Sequence, residues 1–423
     1  MTDFRFVHAA DLHLDTPFEG VAQAAPEVGD ALREASLEAL DRLVALTLDE
    51  GAAFLVIAGD VYDGAERGVR AQLRLHRALE RLGEHGVRTF VAHGNHDPLT
   101  GWSAIGTWPD GVHVFGSRGV ESVPVEIGGE VAATVHGVSY ARRETSENLA
   151  LRFVRGEAPG FHIGVLHANV GSNPEHAAYA PCSLADLRAA RLDYWALGHI
   201  HRRHEVSRDP WVMYPGDTQG RSPKPAEGGA KGALVVEVAG AAVREVRFVA
   251  TDAVRFVHGE VDVGGLDDLA ALRAALLETA DALRREHAGR GLLVRLRLRG
   301  RGPAHAVLGR PEAVADLLDD LREEWRGASP FLWLESLRDE TLSPLDLDEV
   351  RRRGDFSAEL LTLADGLRAD GERRTALLRE LDDPLHRGRA ARWVAEVEGT
   401  EAELEVLRRA EVRALDLLGQ GQA

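Results

Sequence analysis

Short apolar runs, each followed by a polar cluster, recur through the first half of the chain: Phe4 to Ala9, Phe54 to Ala58, Thr89 to Ala92, Ile163 to Leu166 and Tyr194 to Leu197. Their length and their branched and aromatic residues predict buried strands. Between the early runs, over Ala31 to Glu50 and Arg70 to His85, leucines return every three or four residues, a spacing that predicts helices with one apolar face. Alternating strands and helices point to an α/β fold. Asp11, Asp60, Asn95, His167 and His199 each fall one to three residues beyond a predicted strand. Sites in open α/β sheets gather at the carboxyl ends of strands, where loops converge on one edge, so five such loops predict one shared pocket.

From about residue 251 the pattern changes. A strand over Val254 to Val263, a helix from Leu266 to about Glu286, a strand over Leu292 to Arg299, a helix over Glu312 to Trp325 and a strand over Phe331 to Glu335 make a small βαβαβ module. After Pro344 the chain turns rich in Leu, Glu and Arg at helical spacing, notably Phe356 to Leu367 and Arg389 to Leu418, which predicts a helical tail. Pro223 and Pro225, followed by Gly228, Gly229 and Gly232, mark a mobile loop within the first domain rather than a linker. The expected division is residues 1–250, 251–340 and 341–423, in line with the two or three domains that 423 residues suggest.

Composition narrows the class. Apolar residues at 44% and charged ones at 28% are ordinary globular usage, which argues against a fibrous or largely disordered chain. A net charge of -18 repels polyanions at long range, so any contact with nucleic acid must come from local basic patches or bound cations. Cys182 is the single cysteine, which rules out an internal disulfide or a thiolate metal cluster and suggests a reducing compartment. The start runs directly into a strand pattern and no stretch approaches 18 apolar residues, so the expectation is a cytoplasmic protein with no membrane partner.

Five segments carry the chemistry: Asp11-Leu12-His13, Gly59-Asp60-Val61-Tyr62-Asp63, Gly94-Asn95-His96-Asp97, Leu166-His167-Ala168-Asn169 and Gly198-His199-Ile200-His201. Carboxylates suit hard divalent ions and imidazoles add affinity for transition metals, so a mixed set of this kind suits manganese. Extended geometry accounts for the spacing in DxH and HxH, because residues i and i+2 point the same way off a strand. Other histidines, among them His8, His76, His93, His136, His162 and His204, lack any metal-like spacing and read as structural or surface residues.

In order and content the five segments resemble the signature of the calcineurin-like metallophosphoesterases, DxH, GDxxD, GNH[DE], H and GHxH. The resemblance implies a four-layer α/β/β/α sandwich, here with a small α/β capping domain and the helical tail. It implies that Asp11, His13, Asp60 and His201 bind one metal and that Asp60, Asn95, His167 and His199 bind the other. Asp60 would bridge two ions that clamp a phosphate and activate a shared water. By the same resemblance His96 faces the substrate as a phosphate contact or general acid, and Asp63 buttresses it. For Asp63 a simple turn or salt bridge is the bland alternative.

Substrate needs further features, since this fold serves phosphatases, phosphodiesterases and nucleases alike. The opening Val7-His8-Ala9-Ala10-Asp11-Leu12-His13-Leu14, the run Tyr194-Trp195-Ala196-Leu197-Gly198-His199-Ile200-His201 and the turn Tyr214-Pro215-Gly216-Asp217-Thr218-Gln219-Gly220-Arg221 resemble DNA repair exonucleases of the SbcD and YhaO type. That likeness implies a manganese-dependent exonuclease acting on DNA, a coiled-coil ATPase partner of the SbcC or YhaN kind, and a homodimer. Arg202, Arg203, Arg221 and Lys224 are the candidate nucleic-acid contacts. Arg295, Arg297, Arg299 and Arg301 alternate along a predicted strand and offer either a phosphate-tracking ridge or the polar face of a half-buried sheet. The tail's leucines suit either packing on their own domain or docking to a partner helix. Two other functions stay open: a phosphodiesterase or phosphatase for a small phosphoester, and a metal-binding scaffold for the ATPase.

Overall fold

The apolar runs form strands buried on both faces, as parallel strands covered on each side must be. β1 (Phe4–Ala9), β2 (Phe54–Ala58) and β3 (Arg88–Ala92) pair in parallel, joined through helices α1 (Pro26–Asp49) and α2 (Val69–Glu84), and the short β4 (Val112–Val114) extends the sheet beside β3. This computed structural model describes residues 2–15, 26–64, 68–101, 103–171, 179–344, 346–374, 376–377 and 400–420.

The chain then lays down a second sheet. β5 (Glu121–Ile127), β6 (Glu130–Gly137), β7 (Phe161–His167), β8 (Tyr194–Gly198), β9 (His204–Arg208) and β10 (Trp211–Tyr214) pair in the order β5-β6-β7-β8-β10-β9. Afterwards β11 (Gly232–Ala239) returns to the first sheet, antiparallel to β1, and β12 (Ala242–Ala250) closes its edge, giving the order β12-β11-β1-β2-β3-β4.

One face of each sheet meets the other across a single core: Phe4, Phe6, Phe54, Val56 and Phe90 oppose Val135, Phe161, Ile163, Val165 and Tyr194. The outer face of the first sheet packs Val7, Leu55 and Ile57 against Leu40 and Leu43 of α1 and Leu75 and Leu79 of α2. The outer face of the second packs Leu166, Trp195 and Val212 against Leu149 of a short 3-10 turn and Leu187 of α3 (Leu184–Ala189). The result is a four-layer stack with a thick helical layer on one side and a thin one on the other. It is the α/β/β/α sandwich that the resemblance implied, and the five site loops leave three strands of one sheet and two of its neighbour. The fully buried His8 ties β1 to β8, with Nδ1 3.0 Å from the Tyr194 hydroxyl and Nε2 3.2 Å from the Leu197 carbonyl.

Beyond residue 251 the elements run β13 (Val254–Asp262), α4 (Leu269–Glu286), β14 (Gly291–Arg299), α5 (Ala304–Leu308), α6 (Ala313–Glu324) and β15 (Leu332–Asp339), with strand order β13-β14-β15. The chain divides into two compact units, Met1–Gly259 with Leu277–Leu296 and Leu318–Leu337, and Glu260–Leu276 with Arg297–Leu317 and Arg338–Ala423, so residues 251–340 are shared between them. In the second unit α7 (Leu347–Arg353), α8 (Phe356–Ala369) and α9 (Thr400–Gln420) bury Val350, Leu361 and Leu415 together. Asp346 and Asp355 cap α7 and α8. Of the expected Arg389 to Leu418 helix, residues 389–399 lie outside the described residues. No helix among the described residues is long and apolar enough to cross a membrane.

Candidate metal centre

Three of the five motif loops are held in a backbone shape that only tight local bonding supports. Asp11, His13, Asp60 and His199 all adopt positive φ, at 51°, 42°, 49° and 105°, in a region that side chains with a Cβ rarely enter. The spacing of DxH and HxH therefore does not come from extended strand, as the sequence suggested. β1 ends at Ala9, and the loop beyond it is pinned by Asp11 N–H to the Gly59 carbonyl and His13 N–H to the Asp60 carbonyl, both at 3.0 Å. The His199 N–H donates to the Asp11 carboxylate at 3.0 Å, and the His96 N–H donates to Asp60 Oδ1 at 2.9 Å. Two motif glycines are explained by crowding: a Cβ on Gly198 would strike the Ala58 carbonyl and the His167 ring, and one on Gly94 would strike Asp60 and His167.

Three imidazoles are anchored at Nδ1. His167 Nδ1 donates to the Ala58 carbonyl at 3.0 Å, His201 Nδ1 lies 3.0 Å from Glu227 Oε1, and His13 Nδ1 lies 3.2 Å from Asp63 Oδ1. Anchoring Nδ1 in this way leaves each Nε2 as a metal-facing lone pair, the usual arrangement behind a metal-binding histidine. The Nε2 atoms of His13 and His201 then face each other at 3.1 Å, while His167 Nε2 sits 3.0 Å from Asn95 Oδ1 and 3.3 Å from Asp60 Oδ2. Like lone pairs at such distances repel unless a proton or a cation stands between them. Asp60 Oδ2 also lies 3.9 Å from His13 Nε2, so one carboxylate oxygen reaches both halves of the cluster. The donor set fits divalent ions: Asp11, His13 and His201 converge within 4.8 Å, as do Asp11, Asp60 and His167. His199 stands beside these groups, its ring 5.3 Å from that of His167 and 5.7 Å from that of Tyr179.

The electrostatics ask for positive charge. Burial opposes ionisation of Asp60, yet His167, with His13 and His96, holds its carboxyl well below the usual range. Burial likewise opposes charge on His167 and His201. Asp60 overcomes it for His167 and Glu227 for His201, and both rings are pushed up to about 9. His13, where burial dominates, falls to about 3, and burial raises Asp11. Without metal, protons satisfy this cluster, and a cation would displace them.

The calcineurin-like phosphoesterase model matches residues 4–203, the stretch that holds all five loops, and the model for the middle domain of the metallophosphoesterase YhaO matches residues 256–342. Over 352 residues the chain is 35% identical to the uncharacterized metallophosphoesterase YhaO of Bacillus subtilis, spanning 83% of this chain and 85% of that one. The chain belongs to the calcineurin-like metallophosphoesterases. It is accordingly a metal-dependent hydrolase of phosphoester bonds. More distant similarity reaches the D component of the nuclease SbcCD of Bacillus subtilis, 26% identical over 48% of this chain and 58% of that one. It also reaches the DNA double-strand break repair protein Mre11 of Thermoplasma acidophilum, 24% identical over 60% and 69%.

Around the phosphoesterase centre the remaining residues sort by contact. Asp63 lies nearer His13 than His96: its Oδ1 is 3.6 Å from His96 Nδ1, whose N–H also reaches the Asp63 carbonyl at 3.3 Å. Burial would raise the Asp63 carboxyl, but the His13 hydrogen bond and the Arg221 guanidinium hold it low. Arg221 pairs directly with Asp63, which brings it into the site. Arg202, Arg203 and Lys224 are exposed, and Arg203 stacks its guanidinium 4.7 Å above the Phe248 ring. Asp97 is structural, accepting from the Val61 and Gly94 N–H groups at 2.9 and 2.8 Å and meeting His93 Nδ1 at 2.8 Å.

Sequence reading missed Glu227, Asp217 and Lys231, which stand behind His201, and it gave the turn at residues 214–221 no structural role. There Gln219 is a brace: its Oε1 accepts from the Ala253 and Val254 N–H groups and its amide donates to the Val254 carbonyl. The signal available was that turn's unusual density of polar residues. Arg295, Arg297, Arg299 and Arg301 proved to be paired with Glu335, Glu260, Glu340 and Asp416, which favours the polar-face reading.

Proposed function

We propose that this phosphoesterase is a DNA exonuclease that works with two divalent cations, manganese by preference, at DNA ends during repair. The observation that carries the reading is Asp60, whose Oδ2 lies within 4 Å of Nε2 atoms on both sides. In this reading Asp11, His13, Asp60 and His201 hold one cation, and Asp60, Asn95, His167 and His199 hold the other. When bound, the pair supplies Lewis acidity that draws charge from the phosphate and acidifies a water.

The chain's own side chains supply the rest. His96 turns Nδ1 toward Asp63 and is partly exposed, so Nε2 is available to protonate or position the leaving oxygen. Asp63 orients that ring and His13 together, and it holds Arg221 where a guanidinium can meet a phosphate oxygen. Arg202, Arg203 and Lys224 would follow the DNA backbone. Similarity to a nuclease component and to a DNA break repair protein supports DNA over a small ester.

The same likeness supports a coiled-coil ATPase partner of the SbcC or YhaN kind, a homodimer, a capping domain at residues 251–340, and a cytoplasmic setting. For the partner, Phe356, Leu363 and Leu417 leave apolar surface exposed on the tail helices.

The test is digestion of end-labelled duplex and single-stranded linear DNA with Mn²⁺, run with and without the protein encoded beside this one. Wild type should shorten the strands, and Asp60→Ala should lose the activity while keeping its circular dichroism spectrum. Turnover of small phosphoesters with no cleavage of DNA under either condition would favour the small-ester reading, toward which the net charge of -18 leans.

A further inference from the structure

Behind His201 lies a charged group that the motifs do not include. Glu227, the last residue of a 3-10 turn at Pro225–Glu227, places Oε1 3.0 Å from His201 Nδ1. Lys231, just before β11, has a side chain only 6% exposed, and its ammonium lies 2.9 Å from the His201 carbonyl, 2.8 Å from Asp217 Oδ1 and 4.0 Å from Glu227 Oε2. Asp217 is fully buried. The backbone fixes the arrangement, since the Asp217 carbonyl accepts from the Gly232 N–H at 3.0 Å and the Lys231 carbonyl accepts from the Thr251 N–H at 2.9 Å.

Buried ionic groups of this kind are a poor way to gain stability, because desolvation offsets their attraction. His201, Asp217 and Glu227 converge closely enough to hold an ion, but the Lys231 ammonium already stands against Asp217 and serves as the resident cation. What the group does control is one ring. A carboxylate on Nδ1 fixes the tautomer and rotation of an imidazole, and with them the direction of the Nε2 lone pair. That lone pair is the one facing His13 Nε2 at 3.1 Å.

We propose that Glu227 is a positioning residue for the metal centre, holding His201 with Nε2 toward the cation, and that the buried Lys231 and Asp217 pair holds Glu227 in turn. The inference rests on the two-cation reading above, but not on DNA as substrate, because its readouts are cation affinity and ring protonation.

The test is titration calorimetry of the full chain with Mn²⁺. Glu227→Gln keeps the shape and removes the charge, and it should weaken binding by about 10- to 100-fold, with Glu227→Asp recovering part of the loss. In a His201→Gln background the same change should add little, because the ring it orients is gone. Affinity within twofold of wild type, or full additivity of the two changes, overturns the proposal. Should Glu227→Gln fail to fold, the wild-type protein decides: nitrogen NMR of the Zn²⁺-loaded chain should show His201 protonated at Nδ1, and protonation at Nε2 overturns it. A wild type that binds no cation sinks the metal-centre reading itself, a result distinct from one in which only the Glu227 variant behaves normally.

Discussion

Arg295, Arg297, Arg299 and Arg301 run along and just past β14, and each finds a carboxylate: Glu335 at 2.6 Å, Glu260 at 2.5 Å, Glu340 at 3.1 Å and Asp416 at 2.7 Å. Around Asp60 the chain does the reverse. His13 and His201 turn like atoms toward each other, Asn95 and Asp60 crowd one nitrogen of His167, and four backbones sit at positive φ to keep them there. Where every charge has a counterpart of its own, the fold has settled its electrostatics and no ligand is asked for. Where donors of one kind are forced together at a cost in strain, something from solution must complete the site. Density of charged residues alone does not separate the two cases, and partner accounting does.

The sharpest way to break that comparison is at His96, which stands in the site but outside the sets assigned to the cations. His96→Ala should lower kcat on a chromogenic phosphodiester by roughly 100- to 10,000-fold, the range for losing a general acid. Mn²⁺ affinity by calorimetry should stay within a few fold. A parallel loss of affinity would move His96 from the substrate side into the metal-binding set.

A smaller effect should appear in pH. Burial disfavours charge on His167 and His201, but Asp60 and Glu227 outweigh it and both rings are pushed up to about 9. Those folded values exceed the unfolded one near 6.5, so the stabilisation they contribute is complete below about pH 6.5 and is lost as pH rises through about 9. Cations compete with the same protons. Mn²⁺ affinity should therefore climb by up to about tenfold per pH unit for each proton displaced between pH 6.5 and 9. Thermal scans with and without Mn²⁺ at pH 6.5 and 8 check both halves: the metal-free melting point should fall with pH while the shift caused by Mn²⁺ grows. A metal shift that shrinks at the higher pH would contradict the competition.

Much of the site was legible because its ligands follow strands that read plainly. β1 and β2 begin and end at the residues their apolar runs mark, and all five motif segments sit at or just beyond the carboxyl ends of strands. The second sheet was less legible. β5 and β12 are mixed in exposure and interrupted by polar residues, so no clean run announces them, and the pairing of strands into two sheets came from the resemblance rather than from the pattern of apolar runs. The backbone of DxH was misread because alternation along a strand and a left-handed loop give the same spacing in a one-dimensional pattern. Glu227 was out of reach for another reason: it lies 26 residues beyond His201, and only the path of the chain through β9 and β10 brings it back.

The mildest test lies on β14, where the comparison predicts almost nothing. The Arg297 and Arg299 pairs with Glu260 and Glu340 are about half exposed, and such pairs contribute roughly 0 to 1 kcal/mol each, so Arg297→Gln with Arg299→Gln should leave folding nearly unchanged. DNA affinity should hold as well, because these two guanidinium groups are neutralised by Glu260 and Glu340 and so displace none of the counterions on DNA, whereas Arg221 shares Asp63 with His13 and His96 and keeps charge to offer a phosphate. The salt dependence of binding reads this directly. Each phosphate contact contributes about 0.9 to the slope of log affinity against log salt on duplex DNA, so the double variant should match wild type. A slope shallower by about 0.9 for each arginine removed would mean that DNA displaces the carboxylates, and self-satisfaction in the free protein would no longer separate structural charge from functional charge.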